Sequence, residues 1–139
     1  MKILVADDDA SIRKSIFLTL IGEPYQLIEA AELEEAYQKI IHERPDLLLL
    51  DIHFASETSL SLIKRLAVEH IKLPIIVLSG AATAMESAEA IKYGVFDYIE
   101  KPVSAERLKL TIQRCVEDLR LKASLFSITT QNNKRSEFL

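Results

Sequence analysis

Runs of apolar residues without polar alternation are separated along the chain by stretches in which apolar residues recur at helical spacing. Such uninterrupted runs are typical of parallel strands that are covered on both faces. We predict five strands, "KILVA", "YQLIEA", "DLLLLD", "IIVLS" and "FDYIE". The stretches between and after them predict five helices. This alternation indicates a doubly wound α/β sandwich around a five-stranded parallel sheet, with right-handed crossovers.

The carboxyl-terminal stretch changes character after the last predicted helix. That helix follows a good N-cap at Ser104, and its inward stripe is predicted to be Leu108, Ile112, Cys115 and Leu119. From residue 123 the chain reads "ASLFSITTQNNKRSEFL", which is mainly polar and has no clear period. We therefore predict one domain over residues 1–122 and, over 123–139, a linker or tail of marginal order.

Composition narrows the class of protein. A chain of 139 residues fits one domain, and its only cysteine, Cys115, excludes an internal disulfide and a cysteine-rich zinc site. A net charge of −4 argues against direct contact between this chain and the phosphate backbone of a nucleic acid. No apolar run fits a secretory signal or a membrane span, so we predict a cytoplasmic location and no membrane contact.

Polar residues stand at the carboxyl ends of four of the predicted strands. Asp7, Asp8 and Asp9 follow the first strand, Asp51 ends the third, Ser79 ends the fourth, and Lys101 with Pro102 follows the fifth. Open α/β sheets bind their ligands at this edge, so these groups are expected to converge on one cleft. Carboxylates and an ammonium in one cleft can hold a divalent cation and a phosphoryl group.

Each of these residues also has a plain structural interpretation. Asp9 is best explained as the N-cap of the first helix, whereas capping and metal binding are equally good accounts of Asp7 and Asp8. Asp51 and Ser79 could be ordinary turn formers, and Lys101 alone would be a surface lysine. It is their common position at strand ends that favours a shared site over coincidence.

Four motifs resemble one family when taken together. "ILVADDD", "LLLLDI", "IIVLSG" and "FDYIEKP", in this order and spacing over residues 1 to about 120, are similar to the receiver domain of bacterial two-component response regulators. The segment "AIKYGVFDYIEKP" is most similar to the corresponding segment in receivers of enhancer-binding transcriptional activators of the nitrogen-regulation class. The resemblance implies a flavodoxin-like, three-layer receiver fold.

The resemblance implies a role for each acid. Asp51 would be the phosphoacceptor, taking a phosphoryl group from a phosphohistidine on a partner sensor histidine kinase. Asp8, Asp51 and the backbone carbonyl of His53 would ligate magnesium, the implied cofactor, and Asp7 would assist through water. Charge neutralisation by metal and ammonium is most of what catalysis of phosphoryl transfer requires.

The resemblance also implies a phosphoryl-binding and switching set. Lys101 would pair with the phosphoryl oxygens, and Ser79 would hydrogen-bond the phosphoryl group and draw its loop inward. Tyr98 would change rotamer as an aromatic switch. Pro102 would be joined to Lys101 by a cis bond, as is usual in this family.

The biological role implied is a phosphorylation-activated signalling switch in a two-component system. It is not an enzyme in the ordinary sense, although it would catalyse its own phosphorylation and dephosphorylation. It would regulate an attached output domain, one that acts in transcription. A homodimer through the last helices is a further expectation, since charges of both signs on the final helix could complement each other across a two-fold axis.

The loop after Asp51 departs from the family pattern. Receivers commonly have Pro-Gly where this chain has Ala55 and Ser56, and Asp-Gly where it has Thr58 and Ser59. Losing both glycines removes the residues that tolerate positive φ, so we expect another loop path or greater mobility.

Three other classes remain to be weighed. A receiver-like interaction module that is not phosphorylated in practice is the main alternative, and the complete set of site residues speaks against it. A haloacid-dehalogenase-like phosphatase would need a second aspartate where the chain has His53. A flavodoxin-type carrier would need a phosphate loop after the first strand, where three acids stand instead.

Overall fold

The computed structural model describes residues 1–55, 57–80 and 82–137, with side chains as far as residue 125. Apart from two short strands between the third strand and the third helix, strands and helices alternate in the order predicted from the apolar pattern. The strands are β1 Lys2–Ala6, β2 Gln26–Ala30, β3 Leu47–Asp51, β4 His53–Phe54, β5 Glu57–Thr58, β6 Ile75–Ser79 and β7 Asp97–Glu100. The helices are α1 Ala10–Thr19, α2 Leu33–Glu43, α3 Leu60–Val68, α4 Ala84–Lys92 and α5 Ala105–Glu137.

Five of the strands form one parallel sheet in the order β2-β1-β3-β6-β7. The chain winds from β1 outwards to β2, returns to β3 on the other side of β1, and continues to β6 and β7. The predicted fold class, a five-stranded parallel α/β sheet with five helices, is confirmed. All pairs in this sheet are parallel, so the carboxyl ends of the strands lie along the same edge.

The absence of polar alternation in the central strands has its expected cause. All five residues of β3 and all five of β6 are buried, since both faces of these strands are covered. Apolar side chains from the sheet, α2 and α3 form a continuous core cluster, and partly buried side chains, Tyr98 among them, pack against it. This burial fixes the positions of the strand ends that carry the polar residues.

Local signals set the helix boundaries. The Asp9 carboxylate accepts a hydrogen bond from Ser11 N at 2.9 Å, which confirms its capping role. Thr83 and Glu86 form a reciprocal capping box at the start of α4. Gly94 follows α4 with φ +84°, a backbone conformation that side chains other than glycine rarely adopt.

A short antiparallel hairpin follows Asp51 and was not predicted. β4 and β5 pair His53 with Thr58 and Phe54 with Glu57. Ala55, between them, has φ 47°, in the left-handed region that a residue with a Cβ seldom occupies. Proline cannot adopt this φ, so a loop with Pro-Gly at residues 55 and 56 could not follow the same path. This difference agrees with the expectation from the altered loop sequence. Ser56 lies outside the described residues.

The last helix is longer than predicted. Side chains of Leu108, Ile112 and Cys115 are buried, and burial raises the pKa of the Cys115 thiol to about 11, as suits an inert packing residue. The helix then continues to Glu137 in the described backbone, past residue 122, while the linker or tail role of residues 123–139 stays a prediction. The physical reason is that residues 105–137 contain neither glycine nor proline to end the helix.

Backbone contacts divide the chain into two compact units, Met1–Ala105 and Glu106–Leu139. The first contains both sheets and helices α1 to α4, and every candidate site residue named from the sequence belongs to it. The second is the α5 helix. Among the helices that the structure describes, none combines the length and the apolar character that a membrane crossing requires.

Candidate functional site

The sheet brings the predicted site residues to one edge. β1 pairs with β3, β3 with β6 and β6 with β7, so the residues that follow these strands are neighbours in space although they are distant in sequence. Asp51 is in register with Leu78, the residue before Ser79, and Ser79 is in register with Glu100, the residue before Lys101. Parallel pairing alone therefore places Asp51, Ser79 and Lys101 side by side.

Three carboxylates meet at this edge. Oxygen atoms of Asp7, Asp8 and Asp51 all lie within 4.8 Å of one another. Asp7 is 2% exposed and Asp51 8% exposed, whereas Asp8 faces solvent. Like charges at this separation repel strongly where water is excluded, so the arrangement requires a positive charge to compensate it.

Lys101 supplies part of that compensation. Its Nζ lies 3.1 Å from Asp7 Oδ2 and 3.4 Å from Asp51 Oδ2, so the ammonium bridges the two buried acids. The bond between Lys101 and Pro102 is cis, as the resemblance implied. Three carboxylates against one ammonium leave a formal charge of −2 in the cluster. A divalent cation would cancel this charge.

The electrostatic environment singles out Asp51. Burial raises the pKa of its carboxyl group above 3.8, and the neighbouring Asp7 raises the pKa further. Lys101 and the His53 amide act in the opposite direction without cancelling the increase. Neighbouring protein groups therefore compensate the ionised form of Asp51 only in part, and a perturbed pKa of this kind is typical of functional sites.

Backbone contacts hold the two amino-terminal acids in place. Asp7 Oδ1 accepts from Asp9 N at 2.9 Å, and the Arg13 guanidinium donates to the Asp7 carbonyl at 2.7 Å. Asp8 Oδ2 accepts from Ala55 N at 2.8 Å, which attaches the hairpin after Asp51 to the acid cluster. The contribution of Arg13 could not be predicted from the sequence pattern, because this contact depends on how α1 packs behind the turn.

Ser79 and Tyr98 occupy the positions from which a switch could act. Ser79 is 2% exposed, and its Oγ has no hydrogen-bond partner among the residues that the structure describes. Its backbone carbonyl accepts from Lys101 N at 2.7 Å. A buried hydroxyl without a partner is unfavourable, so Ser79 is suited to receive an acceptor that arrives later. Tyr98 is half-buried against the core cluster.

The loop after Asp51 is attached at both ends. The His53 amide lies 3.5 Å from Asp51 Oδ1, and its imidazole Nε2 lies 2.8 Å from Glu86 Oε2 in α4. The Ser59 hydroxyl donates to the Asp51 carbonyl, and Ser59 is fully buried. Sequence reasoning missed Glu86 and Ser59. The spacing of Thr83 and Glu86 could have revealed the capping box, but not its contact with His53.

The cluster has the chemistry of a hard-cation site. Magnesium prefers oxygen ligands, tolerates retained waters, and is commonly held by one or two carboxylates together with substrate phosphates. Asp8 is exposed and Asp51, which is 8% exposed, lies beside it, so both can offer an oxygen to an ion that enters from solvent. The residues present therefore fit a magnesium ion.

Comparison with known proteins agrees with this geometry. A model of the response regulator receiver domain matches residues 3–113. The chain is 34% identical over 122 residues to the nitrogen assimilation regulatory protein NtrX of Azorhizobium caulinodans, covering 86% of this chain and 27% of that protein. It is 32% identical over 118 residues to the phosphate regulon transcriptional regulatory protein PhoB of Pseudomonas aeruginosa, covering 81% of this chain and 52% of that protein.

A solved structure gives the same relationship in three dimensions. The crystal structure of NtrX from Brucella abortus superimposes with a TM-score of 0.82 at 31% identity, covering 91% of this chain and 29% of that chain. This chain thus spans roughly a quarter to a half of the length of the curated relatives described above. The match over residues 3–113, the parallel sheet and the acid edge have one explanation: the chain belongs to the response regulator receiver domain family.

Proposed function

We propose that this chain is a phosphorylation-activated switch of a two-component system, in which Asp51 accepts a phosphoryl group from a partner histidine kinase in the presence of magnesium. The observation that supports this most is the bridging of Asp7 and Asp51 by Lys101, with Asp8 beside them, at the carboxyl edge of the sheet. The site is under-compensated by two charges, the amount that a magnesium ion supplies.

The metal would be held by Asp8, Asp51 and the backbone carbonyl of His53, with Asp7 contributing through water. When bound, the ion supplies positive charge beside the transferring phosphoryl group. Asp7 is less suited to direct ligation, because one of its oxygens accepts from Asp9 N and the other contacts Lys101. Asp8 is anchored through Oδ2 to Ala55 N, so its Oδ1 would be available as a ligand.

In the transfer step an oxygen of the Asp51 carboxylate attacks phosphorus, and the bond from phosphorus to the kinase histidine nitrogen breaks. Lys101 Nζ, which already lies 3.4 Å from Asp51 Oδ2, stabilises the negative charge on the phosphoryl oxygens. The hydroxyl of Ser79, which has no hydrogen-bond partner among the residues that the structure describes, then donates to one of those oxygens and gains a partner. This gain draws the chain after Ser79 inward.

The site would also return the switch to its resting state. Water attacks the phosphorus of the aspartyl phosphate, and the bond from phosphorus to the Asp51 oxygen breaks. The Asp51 carboxylate is regenerated, and inorganic phosphate is released. Tyr98, three residues before Lys101 and half-buried against the core, is the proposed aromatic element that changes rotamer with Ser79.

The test uses a small-molecule phosphodonor. Treatment of the protein with acetyl phosphate and magnesium should add the mass of one phosphoryl group, and omission of magnesium should prevent the addition because the donor meets uncompensated carboxylates. Intact-mass measurement reports the labelling, and peptide mapping should place it on Asp51. A protein that remains unlabelled would favour the alternative, a receiver-like interaction module that is not phosphorylated.

The proposed output domain is suggested by the relatives, which are longer than this chain. The NtrX and PhoB relatives are transcriptional or nitrogen regulators by name, and this chain matches only part of each. We propose that residues 1–122 are the receiver and that residues 123–139 lead towards a transcriptional output domain. The unbroken α5 helix supports a connecting role, because a continuous helix can transmit a displacement along its axis.

A homodimer through the last helices is the finer part of this proposal. On α5, the side chains of Leu110, Leu121 and Leu125 are each more than half exposed. The charges of Glu117 and Arg120 pair within the helix, so apolar contact is the better support for association than charge complementarity.

Sedimentation velocity should therefore show that beryllofluoride with magnesium increases the dimer fraction at a given protein concentration. Leu121→Glu should return the protein to the monomer, because it places a charge in the apolar contact. A monomer at every accessible concentration, or a dimer that is indifferent to Leu121→Glu, would contradict the dimer while leaving the phosphoacceptor intact.

A further inference from the structure

The side chain of Glu86 connects two segments that the phosphoryl site would move. Its Oε1 accepts from Thr83 N at 2.9 Å, and Glu86 N donates to Thr83 Oγ1 at 3.1 Å, which closes the capping box of α4. Its Oε2 accepts from His53 Nε2 at 2.8 Å. One carboxylate therefore fastens the start of α4 to the loop that follows Asp51.

The contact is more than a solvated surface pair. The Glu86 side chain is only 17% exposed, whereas that of His53 is 41% exposed. Both Glu86 oxygens are occupied, and the Thr83 amide together with His53 holds the pKa of the Glu86 carboxyl below its usual range. A carboxylate fixed by its own capping box loses little additional freedom when it binds His53, so its contribution exceeds that of a flexible surface pair.

The contact between His53 and Glu86 lies where it can oppose a displacement of Ser79. Ser79 and Thr83 are each attached to another segment: the Ser79 carbonyl accepts from Lys101 N, and Thr83 is joined through Glu86 to His53. In the resting protein the Ser79 hydroxyl has no partner among the described residues. A segment attached at its far end resists the inward displacement that would bring Ser79 to a phosphoryl oxygen.

We propose that Glu86 is a positioning residue whose bond to His53 holds α4 and the segment after Ser79 in the resting arrangement. This inference rests on the proposed function, since it concerns how the site responds to a phosphoryl group. A ligand shifts a conformational equilibrium only by its differential affinity for the two states. If the bond stabilises the resting state, its removal makes the phosphorylated arrangement easier to reach.

The test is a double-mutant cycle with beryllofluoride, which together with magnesium stands in for the phosphoryl group. We call the hydrogen bond between His53 and Glu86 the latch. His53→Ala removes the latch and leaves the α4 capping box intact, whereas Glu86→Ala removes the latch and the contribution of Glu86 to the capping box. We expect each to tighten beryllofluoride binding about threefold to tenfold, the scale of one ordinary net hydrogen bond, because His53 is partly exposed and solvent weakens its contact with the carboxylate. The double variant should bind no more tightly than either single variant, because both remove the same bond.

Two controls separate the latch from helix stability. Glu89→Ala breaks the 3.4 Å contact between Glu89 and Lys64 of α3, which also joins α4 to a neighbouring element but does not reach the loop after Asp51. Thr83→Ala weakens the helix cap through its hydroxyl and leaves the His53–Glu86 contact in place. Neither should tighten beryllofluoride binding, although Thr83→Ala should lower the midpoint of thermal unfolding.

The outcomes are distinct. Equal or weaker binding by the His53→Ala and Glu86→Ala variants, with normal binding by the unmodified protein, would overturn the latch alone. Additive effects in the double variant would also overturn it, because additivity means that the two side chains act separately. Failure of the unmodified protein to bind beryllofluoride with magnesium would overturn the proposed function, and the latch with it.

Discussion

Asp51→Asn is expected to reduce phosphoryl labelling by acetyl phosphate to background. The amide is a poor nucleophile, and no other acid replaces it: Asp7 is held by Asp9 N and Lys101, and Asp8 is bound to Ala55 N. The measurement is intact mass after incubation with magnesium. The effect should be a loss of the labelled species and not a shift in its rate.

The same substitution should stabilise the metal-free protein at neutral pH. The pKa of Asp51 is raised in the folded state, chiefly by burial and then by Asp7. A raised folded pKa means that its contribution to stability is fully present below the unfolded value, 3.8, and is lost as pH rises through the folded pKa. Thermal unfolding with a chelator present should therefore show little advantage for Asp51→Asn below pH 3.8 and a higher midpoint than the unmodified protein at pH 7.

Asp9→Asn is the matched control for both measurements. Asp9 is adjacent to the acid cluster, but its carboxylate caps α1, and asparagine is an equally good N-cap. This variant should label normally and unfold at nearly the same temperature. Equal labelling of Asp51→Asn and the unmodified protein would remove Asp51 as the phosphoacceptor. A midpoint at pH 7 that falls on substitution would instead show that the pairing with Lys101 outweighs burial.

Asp8→Asn should weaken magnesium binding about tenfold or more, since it replaces the exposed carboxylate of the cluster by a neutral amide. The asparagine oxygen can still accept from Ala55 N, so the hairpin should stay attached and the loss should report the ligand charge. Isothermal titration calorimetry with magnesium measures the dissociation constant directly.

The variants Ser79→Ala and Tyr98→Ala test whether magnesium binding can be separated from signal transmission. Neither side chain is a proposed ligand, so magnesium affinity should stay within about twofold of that of the unmodified protein. Both should instead weaken the link between phosphorylation and output. Ser79→Ala removes a buried hydroxyl that has no described partner and should not destabilise the fold. Equal loss of magnesium affinity in all three variants would contradict this division of roles.

Residue pattern was sufficient for most of the architecture. The apolar segments that form β3 and β6 contain no polar alternation, which predicted strands covered on both faces. All residues of both strands are buried. The capping residues Asp9 and Ser104 predicted the starts of α1 and α5, because capping signals act over one turn of helix. The last helix extends past residue 122 in the described backbone, because residues 105–137 contain no glycine or proline that would end it.

The sequence by itself determined which polar residues stand at strand ends and, through parallel pairing, that they share an edge. Tertiary structure decided the rest: the bridging of Asp7 and Asp51 by Lys101, the support of Asp7 by Arg13, and the hairpin attached to Asp8. It also decided the contact of His53 with Glu86, 33 residues away. Strand propensity and capping are local and can be read along the chain, whereas these contacts depend on ångström-scale packing between distant segments, which no short-range pattern encodes.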